Sequence, residues 1–141
     1  MSVSESKNFS REELKCSFSG ECEIEEDALQ RLQALRDEWG KPIKLSSAFR
    51  SSSHPRERLK PNGPGYHHGK NGNGGQAFDC LIAGEDVVPF IALAIKHGFK
   101  GIGVCQSPKT EWNQRFIHID TRDKGCRTCS RSAWQVRVVD V

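Results

Sequence analysis

The sequence predicts a small, single α+β domain. Three observations carry this prediction. Helical periodicity dominates the first third of the chain, and alternating strand patterns then surround one further helix. The third observation is length, because a chain of 141 residues fits one domain and buries enough apolar surface to fold without disulfides.

The N-terminal segment is polar up to the first helix. Residues 1–8 are expected to be flexible, which leaves residues 9–141 as the single folded domain. A short helix is expected over residues 8–14, because Ser10 is a favourable N-cap and Glu13 follows three residues later, as in a capping box.

Two longer helices are predicted by apolar residues that recur at three- and four-residue spacing. The first covers residues 25–39, begins with acidic residues that suit the helix dipole, and ends at Gly40. The second covers residues 85–97 and ends at Gly98.

Alternating apolar and polar residues predict five strands. They are expected over residues 43–49, 76–82, 102–105, 116–121 and 134–141. Between the first two strands lies a long segment, residues 51–75, that is rich in glycine and proline and almost free of aliphatic side chains. Long loops in small domains are usually functional or disordered, so this loop is a candidate for function.

Composition, charge and the lengths of the apolar runs exclude a membrane-spanning protein and few other classes of protein. The net charge is +3 and the isoelectric point about 8.6, values that permit association with an anionic polymer without arguing for it. No apolar run is long enough to cross a bilayer, so membrane insertion is not expected. The N-terminus lacks the basic-then-apolar order of a signal peptide. Synthesis in the cytoplasm is therefore expected, and any action outside the cell would need another route of release or export.

The chain has six cysteines, more than is usual for a cytosolic protein of this length. Cys126 and Cys129 form a CxxC motif, and Cys16 and Cys22 lie close together near the other terminus. These four thiols could hold a structural zinc ion, form disulfides or be free, and their spacing leaves the three interpretations open. The other two cysteines fall in predicted strands and are expected to pack as small apolar side chains.

Two short regions contain the most specific pattern in the chain. In the first, YHHG at residues 66–69 leads into GQAFD at residues 75–79. In the second, FIHID stands at residues 116–120. Together they offer two histidines and a carboxylate, the ligand set of a catalytic zinc site with an open fourth position.

The predicted strands explain how these residues could meet. Asp79 and His118 would be near neighbours on one face of an antiparallel sheet. His67 or His68, on the preceding loop, would complete the set. Asp120 lies two residues beyond His118 and therefore points to the same face. It could support that histidine or act as the general base for a metal-bound water.

The order of these motifs resembles that of the zinc D-Ala-D-Ala carboxypeptidase group, subgroup A of peptidase family M15. The resemblance covers residues 8–121. It rests on SSAFRS at 46–51, Tyr66 with His67, GQAFD at 75–79, GIGV at 101–104 and FIHID at 116–120. The opening stretch, NFSREEL followed by a helix and KPI, is similar to phage- and prophage-encoded members.

The resemblance implies a fold, an activity and a site. The fold would be the small domain shared with the signalling domain of hedgehog proteins, an antiparallel sheet with helices packed on one side. Carried over residue by residue, it makes His67, Asp79 and His118 the zinc ligands. Arg50 matches the family arginine that holds a substrate carboxylate or polarises its carbonyl, a task that suits a planar guanidinium. The loop over residues 51–75 would form one wall of the cleft.

Two departures from the family pattern affect the site. The family spaces its first histidine and its aspartate more closely, so residues 69–73 are interpreted as a glycine-rich insertion, which leaves His68 as a rival ligand. Many relatives also place an acidic base three residues before the last histidine, where this chain has Arg115. Asp120 is then the expected base, and Glu111 is the alternative.

The main functional hypothesis is a zinc metallopeptidase of D,D-carboxypeptidase or endopeptidase type. It would act as a monomer on peptidoglycan stem peptides or crosslinks, in the manner of a phage endolysin, through a metal-activated water. A non-catalytic, metal-containing module that binds the cell wall on the same fold is the alternative. A nucleic-acid-binding zinc protein built on the four terminal cysteines is a third hypothesis. The chain lacks a basic, aromatic-rich stretch that would stack bases, so nucleic acid is not the expected partner.

Overall fold

The computed structural model describes residues 2–123 of the protein. Its α-helices in this range are α1 (Arg11–Leu14), α2 (Glu26–Trp39), α3 (Pro55–Arg58) and α4 (Val87–Lys96). Its strands are β1 (Ser2–Val3), β2 (Ile24–Glu25), β3 (Leu45–Ser47), β4 (Ala77–Cys80), β5 (Gly101–Cys105) and β6 (Phe116–Asp120). Short 3-10 turns at Gly84–Asp86 and Trp112–Gln114 precede α4 and β6. None of the helices in residues 2–123 has the length and apolar character of a membrane span.

Four strands form an antiparallel sheet in the order β3-β4-β6-β5, and β1 and β2 form a separate antiparallel pair. In the centre of the larger sheet, β4 pairs with β6 so that Asp79 stands opposite His118 and Ala77 opposite Asp120. On the other side of β6, Gly103 of β5 stands opposite the same histidine. Within the described residues, helices and sheets make one small mixed domain, so the α+β prediction is confirmed.

Alternation along the two central strands separates an apolar face from a polar one. Phe78 and Cys80 of β4 share a face with Ile117 and Ile119 of β6, and all four side chains are fully buried in the core. The helices α2 and α4 contribute further buried apolar residues to this core, which are Leu29, Leu32, Leu35, Phe90 and Ala94. The opposite face of the same strands carries buried polar side chains.

The expected ends of the first two helices are confirmed. Ser10 Oγ accepts a hydrogen bond from the backbone N–H of Glu13 at 3.3 Å, and the Glu13 carboxylate accepts one from the backbone N–H of Ser10 at 2.9 Å. This is the reciprocal pair of a capping box. Gly40 ends α2 with a φ of 77°, a left-handed conformation that glycine adopts without a steric penalty.

The N-terminal residues have partners in the domain. Strand β1 pairs with β2, and Ser6 Oγ donates a hydrogen bond to Gln33 Oε1 at 2.7 Å. The expected flexibility of residues 1–8 concerns motion and stays a prediction.

The strand predicted over residues 43–49 is shorter in the structure, where β3 has only 3 residues. The chain leaves the sheet after β3 because its next N–H groups have partners elsewhere. Phe49 N–H donates to Leu14 O at 3.0 Å, and Arg50 N–H donates to His67 O at 3.1 Å. These bonds attach the end of β3 to α1 and to the loop that carries the histidines.

Other predicted boundaries also differ from the structure. The helix predicted over residues 85–97 begins as a 3-10 turn and becomes α-helical at Val87. The long loop over residues 51–75 contains α3, which begins with Pro55, a residue preorganised for the first helical position. The strand predicted over residues 134–141 lies outside the described residues.

Replacing Leu32 with alanine is expected to lower the free energy of unfolding by about 2–5 kcal/mol, because truncating a fully buried leucine leaves a cavity in the core. Gln30→Ala, on the exposed face of the same helix, is the control and should change this free energy by less than about 0.5 kcal/mol. Urea denaturation followed by circular dichroism measures both values. Equal stabilities of the two variants would contradict the packing of α2 described above.

Candidate metal centre

Three buried side chains converge on the polar face of the sheet. Asp79 and His118 stand opposite each other across β4 and β6, so both side chains point to the same face. His67 comes from the loop that precedes β4. One ligand atom of each residue lies within 4.8 Å of the other two. Each of the three residues is at most 3% exposed.

The tautomer of His67 is set by a backbone carbonyl. Nδ1 lies 2.6 Å from Ala48 O, and because a carbonyl only accepts, Nδ1 must carry the proton and donate it. Burial lowers the pKa of His67 and so favours the neutral ring. Nε2 of the neutral ring has no hydrogen, and this atom lies 3.2 Å from Asp79 Oδ1.

His118 is supported from behind by a carboxylate. Its Nε2 lies 2.7 Å from Asp120 Oδ2, to which it donates, and its Nδ1 lies 2.9 Å from Asp79 Oδ1. Burial alone would lower the pKa of His118, but hydrogen bonds to Asp120 and Asp79 outweigh burial and raise it. A cation that binds at Nδ1 would have to displace any proton there.

Asp79 lies at the centre of the cluster. Its Oδ1 faces both imidazoles, and its Oδ2 lies 3.3 Å from Arg50 Nη2. Burial alone would raise the pKa of Asp79, but the imidazoles of His67 and His118 outweigh burial and hold the pKa well below its usual range. The ionised carboxylate therefore offers acceptor oxygens only.

This arrangement fits a metal ion. Nε2 of His67 and Oδ1 of Asp79 are both acceptors, so their approach to 3.2 Å places two lone pairs face to face. Atoms that bind a tetrahedral zinc ion at about 2.0–2.1 Å lie about 3.3–3.4 Å apart. The 3.2 Å separation between His67 and Asp79 is close to that spacing, and the 2.9 Å separation between His118 and Asp79 is that of a hydrogen bond whose proton a metal ion would replace. Each histidine also donates its other N–H to a carbonyl or a carboxylate, as metal-bound histidines usually do.

A buried ion pair lies behind the carboxylate of the cluster. Arg50 Nη1 donates to Glu57 Oε2 at 3.2 Å, and Arg50 Nε donates to Ser47 Oγ at 3.0 Å. Burial opposes ionisation of Glu57, but hydrogen bonds from Gly65 N–H and Lys60 outweigh it and lower the pKa of that carboxyl. The Nε, Nη1 and Nη2 atoms of the guanidinium are thus all directed at protein groups. The substrate contact expected of Arg50 stays a prediction.

Asp120 is fully buried and shared between His118 and Arg122. Its Oδ1 accepts from Arg122 N–H at 3.1 Å and from Arg122 Nε at 2.7 Å, and its Oδ2 accepts from Nη2 of the same arginine. Burial opposes ionisation, but Arg122 and His118 outweigh it and hold the pKa of Asp120 below its usual range. Both oxygens therefore already accept hydrogen bonds. The role of general base stays a prediction.

Gly101 makes room for this second ion pair. It stands opposite Asp120 in the β5–β6 register. A Cβ at this position would lie 2.0 Å from Asp120 Oδ1 and 2.3 Å from Arg122 Nε. A side chain on this residue of β5 would therefore displace the carboxylate that supports His118.

The cluster opens into a cleft of about 420 Å³. His67 and His118 are among the residues that line it. Most of the wall comes from residues between Lys60 and Lys70, and Arg122 contributes on the other side. The expectation that the loop over residues 51–75 forms one wall is confirmed.

The insertion at residues 69–73 loops out without separating the motifs. The backbone N–H of Gln76 donates to Tyr66 O at 2.8 Å, which closes the base of the loop. Gly69 and Gly74 have φ values of 99° and 106°, and a Cβ on Gly69 would lie 1.9 Å from Gly74 O. Only glycine fits where the two ends pass so closely. The histidine and the aspartate on either side can therefore meet despite their spacing.

The alternatives raised from the sequence lie outside the cluster. His68 Nδ1 is 3.2 Å from Arg50 O, and its ring packs beside Phe49 with centroids 5.8 Å apart. Glu111 is exposed and is not among the described residues that line the cleft. Arg115, which replaces the acid of many relatives, donates through Nε to a backbone carbonyl of the preceding loop.

A structural zinc site on four cysteines is not supported. Cys16 and Cys22 are free thiols, and each lies near an oxygen of a serine within the domain, at 3.7 and 3.8 Å. Cys126 and Cys129 lie outside the described residues. Cys80 is fully buried in the core, as its strand position predicts.

Three contributors to the site were missed from the sequence. Arg122 had a usable signal, because it continues the alternation of His118 and Asp120 along one face. Glu57 had none, since an acid within a charged, proline-containing stretch gives no sign of burial. The carbonyl of Ala48 could not be identified either, because a backbone group is selected by folding and not by residue type.

Residues 7–120 match the sequence model of a known protein family, described as Peptidase M15. The matched span includes the three residues of the cluster and the arginine behind them. It confirms, at the level of the family, the resemblance inferred from the motifs. A search of curated proteins found no match. The chain belongs to the peptidase M15 family.

Proposed function

We propose that this protein is a zinc-dependent peptidase that hydrolyses peptide bonds in bacterial peptidoglycan, in stem peptides or crosslinks that contain D-amino acids. The observation that carries the proposal is the approach of two imidazole nitrogens to one oxygen of Asp79, at 3.2 and 2.9 Å. Membership of a peptidase family supports peptide-bond hydrolysis. The choice of peptidoglycan rests on the resemblance of the motifs to D-Ala-D-Ala carboxypeptidases.

His67, Asp79 and His118 would hold the metal ion through Nε2, Oδ1 and Nδ1. Three protein ligands leave a further position for water or substrate, which is typical of catalytic zinc sites. A zinc ion bound there would polarise the scissile carbonyl and lower the pKa of a water molecule to about 7.

Charged residues behind the ligands would keep them in place. Arg50 holds the second oxygen of Asp79, and Asp120 fixes the ring of His118 so that Nδ1 is directed at the cluster. Of the two roles considered for Asp120 from the sequence, we therefore propose the positioning of His118. Partners of this kind tune both the orientation and the basicity of a metal-bound histidine.

A non-catalytic, metal-containing module that binds the cell wall is the second candidate. One observation favours it: within residues 2–123, no aspartate or glutamate is among the residues that line the cleft. General-base catalysis requires a proton acceptor within hydrogen-bond reach of the attacking water. Both candidates need the metal site, so a measurement of hydrolysis distinguishes them.

Wild-type protein that has been freed of metal with a chelator, and then of the chelator, is expected to bind zinc. His118→Ala is expected to bind zinc at least about 100-fold more weakly, because one of three ligands is lost. The matched control is His68→Ala, which removes the adjacent loop histidine and should bind zinc like the wild type. Isothermal titration calorimetry measures these affinities. Equal affinity of His118→Ala and wild type would remove the basis of the proposed site.

The same variants provide the test of hydrolysis. Zinc-loaded wild type and His68→Ala should release new fragments from purified peptidoglycan peptides, whereas His118→Ala and chelated protein should not. Mass spectrometry of the fragments identifies the bond that is cut. Intact peptides after incubation with folded, zinc-loaded wild type would favour the binding module.

Replacing Asp120 with asparagine separates the two roles considered for this residue. If Asp120 positions His118, zinc affinity should fall by about 10–100-fold, and added zinc should restore most of the hydrolysis. If Asp120 is the proton acceptor, zinc affinity should be unchanged while kcat falls by about 100–10,000-fold. We expect the first result. Glu111→Gln is the control and should leave both quantities unchanged, because Glu111 does not line the cleft.

A further inference from the structure

We propose that Lys70, which the insertion at residues 69–73 carries, is a specificity-determining residue that binds a carboxylate of the substrate inside the cleft. This inference rests on the proposed function, because it concerns the cleft in front of the same cluster. It goes further by assigning the insertion a role and by giving the substrate a charge close to the bond that is cut.

The charge of the cleft is the first observation. Three basic side chains, those of Lys60, Lys70 and Arg122, line it together with His67 and His118. Within the described part of the chain, no acidic residue is among its lining residues. A cleft that is lined by positive charges attracts an anionic group.

Two of these three cations are already neutralised by protein carboxylates. Lys60 Nζ lies 3.1 Å from both carboxylate oxygens of Glu57. Arg122 is paired with the buried Asp120. Lys70 has no ion pair among residues 2–123, and its Nζ lies 5.7 Å from the centroid of the Tyr66 ring. Among the described residues that line the cleft, its ammonium is therefore the cationic group without a carboxylate partner.

The backbone of Lys70 is held in place although its side chain is exposed. Its N–H donates to Gln76 Oε1 at 3.0 Å, and the side chain of Gln76 also donates to Thr121 Oγ1 at 3.4 Å. The residue before Lys70 is Gly69, whose close approach to Gly74 fixes the base of the loop. The anchor of the lysine is thus preorganised, and only its flexible stem has to adjust to a ligand.

A lysine in this position would recognise charge without demanding one orientation, because an ammonium is a compact charge with three rotatable donors. The carboxylate could be the C-terminus of the residue that hydrolysis releases, or an acidic side chain beside the scissile bond. Both sources offer the same group to Nζ. The insertion therefore adds selectivity for a nearby negative charge, whichever residue carries it.

Three synthetic peptides distinguish the two sources. The first is N-acetylated Lys-D-Ala-D-Ala with a free C-terminus, the second is its C-terminal carboxamide, and the third is the carboxamide with D-Glu as the last residue. Zinc-loaded wild type should cleave at least one of the two acidic peptides with a KM about tenfold lower than that of the neutral carboxamide. The peptide with the lower KM identifies the source of the carboxylate.

Lys70→Met should abolish this preference by raising KM for the acidic peptide to about that for the neutral carboxamide, with kcat for the acidic peptide little changed. Lys70→Arg keeps the positive charge and should therefore retain the preference. Lys109→Met removes an exposed lysine that is not among the residues lining the cleft and is the charge-matched control. Equal KM values for acidic and neutral peptides in the wild type, or an unchanged preference in Lys70→Met, would overturn the inference.

Binding of the same peptides, measured by calorimetry, separates this inference from the proposed function. If no peptide is cleaved but the acidic ones bind more tightly and lose that advantage in Lys70→Met, the proposed peptidase activity fails and the role of Lys70 stands. If cleavage occurs with no difference between acidic and neutral peptides, the peptidase stands and the role of Lys70 is overturned. Equal, Lys70-independent binding without cleavage overturns both.

Discussion

The site depends on the register between β4 and β6, which places Asp79 opposite His118. The same register places Phe78 opposite Ile119 on the other face, where both side chains are fully buried in the core. A slip of one residue would exchange the two faces, burying charge in the core and exposing the apolar side chains. The hydrophobic core therefore enforces the geometry of the polar cluster from the opposite face of the sheet.

Compensation of buried charge is the second constraint. A carboxylate removed from water costs several kcal/mol unless it is paired and hydrogen-bonded. Asp79 has Arg50 on one oxygen and the two imidazoles on the other, and Asp120 has Arg122. These pairs keep the Asp79 carboxylate ionised and hold its oxygen beside two imidazole nitrogens, where a divalent cation would find its ligands. The supporting arginines are consequently part of the site whether or not they contact a substrate.

Most local features of this chain could be predicted, whereas most long-range ones could not. The capping box at Ser10, the end of α2 at Gly40 and the alternation around His118 follow from short-range rules, and the structure agrees with them. Motif order also identified the residues that converge as a cluster. The early end of β3 and the burial of Glu57 depend on contacts with distant segments, which periodicity cannot report. The insertion was recognised from spacing, but its closure between neighbouring backbones became apparent only in three dimensions.

X-ray absorption spectroscopy of the zinc-loaded protein would show whether imidazole nitrogens and a carboxylate oxygen of this cluster bind zinc. Zinc–nitrogen and zinc–oxygen bonds are about 2.0–2.1 Å long, whereas zinc–sulfur bonds are about 2.3 Å. We expect zinc to be surrounded by nitrogen and oxygen atoms, with imidazole scattering from two histidines, and part of that imidazole signal to be lost in His118→Ala. Ligands that are mainly sulfur, unchanged in that variant, would show that cysteines hold the metal and that this cluster does not.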